Sequence, residues 1–109
     1  LQIKVLLIAE INEATQYVQI KGKLTALHLI GANRKKRLHG TFKDETGTID
    51  LVWFVKTDWI QKSLKTGVEY VVYGKPKKFG RNFNITHPEI RKFFTRYKKA
   101  IEYRYKLFF

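Results

Sequence analysis

Cysteine is absent from the sequence and proline occurs only twice. The first absence removes disulfide staples and thiolate metal sites, and it permits a reducing compartment. The second, together with 44% hydrophobic and 28% charged residues, is the composition of a chain that folds. No stretch approaches the roughly 20 apolar residues that span a bilayer. The opening LQIKVLLIAEI is apolar only over residues 5–9 and carries no signal-peptide cleavage pattern. These absences imply a soluble intracellular protein with no membrane partner. Acid is also scarce: nine Asp and Glu stand against 22 Lys and Arg, a formal charge of +13 on 109 residues. That length is one domain's worth. So large a positive potential concentrates polyanions, which makes nucleic acid the first candidate partner and an anionic membrane surface the second. The chain starts at Leu1 and stops at Phe108-Phe109 inside a basic, aromatic stretch, which reads as a fragment of a longer protein.

Catalytic chemistry is as thinly represented as acid. His28, His39 and His87 share no metal-ligand spacing, so no metal site is expected. The carboxylates fall in turn or cap positions, including Asp44, Glu45, Asp50 and Asp58, where local hydrogen bonding suits them better than acid–base work. Gly74-Lys75-Pro76 lacks the upstream glycine spacing and the hydroxyl of a phosphate loop. No cofactor and no small-molecule substrate are expected of this chain.

What is present is strand patterning. Over residues 17–26, Val18, Ile20, Gly22, Leu24 and Ala26 share one face and Gln19, Lys21, Lys23 and Thr25 the other. The phase then shifts to Leu27 and Leu29, and with Gly22 in mid-strand this predicts a long strand that is bent or bulged. A loop at residues 31–36 leads to a second strand with Leu38, Gly40 and Phe42 inward. Asp44-Glu45-Thr46-Gly47 makes the turn into a third, with Ile49, Leu51 and Trp53 inward and Phe54 in the opposite phase. Asp58, with Gln61 three residues on, predicts the cap of a short helix closed by Gly67. Strands at 68–75 and 81–86 follow, joined by a loop at 76–80. Three strands, a short helix and two strands are the element order of a mainly β, five-stranded OB-fold barrel. Residues 1–16 read as a lead-in, 17–90 as the OB unit, and 91–109 as a basic tail or linker forming a C-terminal helix.

The runs YVQIKGKL, FKDETGTIDLVWF and VVYGKPKKFGRNFNITHPEI resemble the wedge domain of the RecG family of ATP-dependent DNA helicases over residues 17–90. In that family a strand with a central glycine precedes a D-x-T-G-T-[IL]-x-L-x-[WF]-F hairpin, a short helix, a V-x-G-K strand and a closing His-Pro-Glu. Here these match Asp44 to Phe54, then Gly74-Lys75, then His87-Pro88-Glu89. The resemblance implies a parent that uses ATP and magnesium to remodel replication forks and Holliday junctions in repair and recombination, in the bacterial cytoplasm on nucleoid DNA. It also implies that aromatic side chains at Phe54 and Trp59 stack on base pairs exposed at the branch. Trp59 has a competing reading as a plug in the barrel's end. The hairpin run by itself also suits OB domains of aminoacyl-tRNA synthetases and polymerase subunits, so a generic single-stranded DNA or tRNA-binding module is the alternative.

Cations cluster in two loops: Arg34, Lys35, Lys36 and Arg37 before the second strand, and Lys75, Lys77, Lys78 and Arg81 between the last two. These are the first and last hairpin loops of an OB barrel, which flank its nucleic-acid-binding face. Phe79 and Phe83 are interleaved with the second cluster. Either could stack on bases, and Phe83 could instead pack inward with Ile85.

Overall fold

Period-two alternation of apolar and polar residues builds a sheet from most of this chain. The computed structural model describes residues 3–93. Among them are eight strands and one α-helix: β1 (Ile3–Val5), β2 (Tyr17–Ile30), β3 (Arg37–Lys43), β4 (Thr48–Trp53), α1 (Thr57–Ser63), β5 (Glu69–Gly74), β6 (Pro76–Phe79), β7 (Asn82–Thr86) and β8 (Glu89–Lys92). The five expected strands are present as β2, β3, β4, β5 and β7, with the helix where it was expected. No helix among the described residues is long and apolar enough to cross a membrane.

The bend in β2 has two causes. Its register against β3 slips between Leu24, opposite Phe42, and Ala26, opposite Thr41, so Thr25 is an extra residue and the inward phase passes to Leu27 and Leu29. A Cβ on Gly22 would lie 2.4 Å from the Lys43 carbonyl oxygen, so only glycine lets the two backbones approach this closely. Residues 18–23 pair with β5 and residues 23–30 with β3, so the two halves of one strand serve different neighbours in the sheet, with Lys23 common to both.

Three features differ from the sequence reading. The loop expected at 76–80 is mostly strand β6, because Lys75 kinks the chain and the next residues pair with β7. The hydrogen-bonded path runs β6-β7-β4-β3-β2-β5-β8 with β1 beside β2, so eight strands form a sheet that does not close on itself, in place of five closed into a barrel. β5 and β6 are joined by the chain through Lys75, one pairing β2 and the other β7. At the kink Gly74 is required, since a Cβ there would meet Ile85 Cγ2 at 2.4 Å. Finally, residues 91–92, expected in the tail, continue β8 against β5. The expected C-terminal helix lies otherwise outside the described residues.

The core is formed by the inward faces of β2, β3, β4 and β5, with Val18, Ile20, Leu24, Leu38, Phe42, Leu51 and Val72 fully buried. Residues read as a lead-in contribute to it. Ile8 and Ile11 join the core cluster, each burial worth roughly 1.5–3 kcal/mol, and β1 runs parallel to β2.

Candidate nucleic-acid interface

Strand β4 carries the site. Its last residue, Trp53, is buried, and the alternation that turns Trp53 inward turns Phe54 out, leaving it 55% exposed. The Phe54 N–H donates to His87 Nε2 at 3.0 Å, and the His87 N–H donates to the Val52 carbonyl at 2.7 Å. His87 holds a left-handed backbone (φ 49°) with its ring 6.2 Å from that of Phe54. It therefore clamps the position from which Phe54 projects. Lys56, also left-handed (φ 55°), turns the chain into α1. No side chain caps that helix: Asp58, expected as the cap, sits inside its first turn and pairs instead with Lys36 Nζ at 3.5 Å. Ile60 packs on the core and Trp59, one residue earlier, is 68% exposed. The exposure of Trp59 removes its reading as a core plug.

The Lys36–Asp58 pair draws the 31–36 loop against α1. Ile30, opposite Arg37 in the register, is also exposed, as is Val55. Arg34, Lys35, Lys36 and Arg37 thus lie at the same end of the sheet as the exposed apolar residues Ile30, Phe54, Val55 and Trp59. Arg37 Nε donates to His39 Nε2 at 3.1 Å, which holds the guanidinium along the outer face of β3.

The second basic loop is elsewhere. Strand β7 runs parallel to β4, with Asp50 opposite Asn84 and Val52 opposite Thr86. The β6–β7 tip therefore lies at the Thr48 end of β4 and the 31–36 loop at the Trp53 end, about 20 Å apart for a six-residue strand. Phe79 at the tip is 72% exposed, whereas Phe83 packs on the core. Lys75, Lys77 and Arg81 are exposed. Lys78 is turned aside: its Nζ lies 2.6 Å from Glu13 Oε1, and this hydrogen bond and charge hold the Glu13 carboxyl below its ordinary range. The two loops bracket an outward face whose mid-row runs Thr41, Asp50, Asn84, Lys77 across β3, β4, β7 and β6. Sequence reasoning left Asp50 and Asn84 out of the site because their adjacency exists only through the parallel β4–β7 register. It also left His87 without a task. Gly74-Lys75-Pro76 lies where β5 passes into β6 rather than in a strand-to-helix loop, which is the setting of a nucleotide-binding phosphate loop.

Cations at both ends, exposed rings and a polar floor between them are what a polyanion with stacking bases would use. A family model described as an OB-fold nucleic acid binding domain matches residues 18–93. The chain belongs to this family. As an OB-fold domain it resembles RecG in a structure bound to a three-way DNA junction, with a TM-score of 0.65 and 23% identity over 90% of this chain and 13% of that one. It also resembles a chain of a replication protein A heterotrimer bound to ssDNA, with a TM-score of 0.60 and 15% identity over 84% of this chain and 68% of that one. Asparaginyl-tRNA synthetase of Entamoeba histolytica matches with a TM-score of 0.60 and 16% identity, over 89% of this chain and 25% of that one. No curated relative matches the OB-fold domain at a significant level. Likeness at these identities concerns the fold.

Proposed function

We propose that this OB-fold domain is the wedge of a RecG-type helicase and binds branched DNA, at forks and Holliday junctions, during repair and recombination. The observation that carries this reading is the exposure of Phe54 and Trp59, 55% and 68%, at one end of the sheet beside the 31–36 cations. At a branch the terminal base pair of each arm has lost its stacking neighbour, and a ring placed there recovers roughly 1–3 kcal/mol per base. Arg34, Lys35, Lys36 and Arg37 would hold phosphates of one arm, and Lys75, Lys77 and Arg81, with Phe79, would hold a second strand. In this reading ATP hydrolysis and its magnesium belong to a motor elsewhere in the parent protein, in the bacterial cytoplasm. Binding is measured to a three-way junction and a matched linear duplex. Wild type should prefer the junction, and Phe54→Ala or Trp59→Ala should remove that preference while the domain stays folded. Equal loss on both DNAs would reduce the domain to a basic clamp.

The open polar floor between the two loops favours a second reading, a module for single-stranded DNA or tRNA. It predicts tight single-strand binding with no gain from a branch.

A further inference from the structure

The outward floor carries a charge of the wrong sign for a polyanion. Of the residues in β3, β4, β6 and β7, Asp50 is the single acidic one. It is exposed at the middle of β4, flanked across the strands by Thr41 and Asn84, with Lys77 beyond. Among the described residues no hydrogen bond or ion pair holds its carboxylate. Two other aspartates are employed in the fold, Asp44 in its turn and Asp58 on Lys36, while Glu45 lies in the turn outside the four strands. Asp50 has no such task, and a phosphate lying over it would be repelled.

The cations are arranged around this point. Arg37 and Lys43 stand at the two ends of β3, Lys23 lies beside Lys43, and Lys77 lies on β6. A strand whose phosphates follow this rim must present its bases to the floor. A carboxylate there accepts hydrogen bonds from exocyclic amino groups, such as cytosine N4, and repels the carbonyl edges of thymine. The adjacent Asn84 and Thr41 can each donate and accept, which completes a surface for base edges. We infer that Asp50 is a specificity residue that makes this face prefer single strands of amino-bearing bases, cytosine above thymine. The inference rests on the reading that this face receives nucleic acid, and it adds which bases are taken.

Oligo(dC) and oligo(dT) of equal length share backbone charge and pyrimidine size, so their ratio isolates the base edge. With the full chain at neutral pH, oligo(dC) should bind roughly fivefold tighter than oligo(dT). Asp50→Ala and Asp50→Asn should bring the ratio close to one, partly by strengthening oligo(dT), and should melt at the wild-type temperature because the side chain is exposed. Lys77→Ala should weaken both oligomers equally and leave the ratio intact. A wild-type ratio near one, or a ratio that survives Asp50→Ala, overturns the role of Asp50 alone. If Arg37→Ala and Lys77→Ala together leave binding to both oligomers unchanged, the strand lies elsewhere and the reading of this face fails with it.

Discussion

At the Thr48 end of β4 the carboxylate of Asp44 accepts hydrogen bonds from the Ile8 N–H at 2.8 Å, the Thr46 N–H and hydroxyl at 2.7 and 2.6 Å, and the Gly47 N–H at 3.1 Å. The Thr46 hydroxyl in turn accepts from the Ala9 N–H at 3.0 Å. At the Trp53 end, by contrast, Phe54, Val55 and Trp59 stand in solvent beside cations of which only Lys36 has an acidic partner among the described residues. The side chains of Asp44 and Thr46 at the first end are engaged in hydrogen bonds within the fold, and they tie residues 8–9 to a turn 36 positions away. The apolar side chains of Phe54, Val55 and Trp59 at the second end are largely exposed. The Asp44 turn and the Phe54–Trp59 segment, at opposite ends of one strand, thus differ in how much of their side-chain chemistry the fold uses, and substitutions in the two should have opposite signatures.

The largest effect on stability should come from Asp44→Ala, which leaves several backbone donors unpaired and detaches residues 8–9. A loss of about 2–3 kcal/mol is expected, read as an earlier thermal melt, with DNA affinity of the folded fraction unchanged. The Asp44 carboxyl adds a pH signature. Burial pushes its pKa up, but the donors of Thr46, Ile8 and Gly47 outweigh this and hold it below the ordinary value. A carboxylate depressed in the folded state contributes stability above its unfolded value and loses it as pH falls through the folded one. The melting gap between wild type and Asp44→Asn should therefore be full at neutral pH and close in acid. A gap independent of pH would show that the bonds to Asp44 do not depend on its charge.

At the other end Phe54→Ala and Trp59→Ala should change stability by no more than about 0.5 kcal/mol, as exposed substitutions do. Each should cost roughly 1–3 kcal/mol of binding to a junction. A variant that melts early would show that its ring supports the fold. The smallest effect separates neighbouring lysines. Lys77→Ala should lower affinity on every DNA and reduce the salt dependence by about one phosphate contact, while Lys78→Ala, whose amine already sits on Glu13, should do so less. Equal losses would mean that DNA displaces Glu13.

Much of this division was legible from residue order. The inward alternation of β2, β3 and β4, the turn at residues 44–47, the outward phase of Phe54 and the break in β2 follow from period-two patterning, because successive strand residues point to opposite faces. Strand β6 was hidden because Pro76-Lys77-Lys78-Phe79-Gly80 has the composition of a turn and is extended only by pairing with β7. Residues 1–16 read as a lead-in because Ile8 and Ile11 belong to no periodic element, and the bond that ties this segment to the sheet, Ile8 N–H to Asp44, joins residues 36 positions apart. The cap of α1 was misplaced because Asp58 finds Lys36, a residue distant in sequence, in place of its own helix end.

By itself the sequence determined the local conformations and the sign of the surface. Alternation, turn residues and an excess of 13 positive charges act over a few residues or over the whole chain at once. Which of those charges are paired within the fold and which stay exposed was decided only by the tertiary structure. The β4–β7 pairing puts Asp50 beside Asn84, the 31–36 loop meets α1, and Lys78 meets Glu13. The physical reason is range: patterning is set by neighbours along the chain, whereas an ion pair or a shared face requires register between segments tens of residues apart.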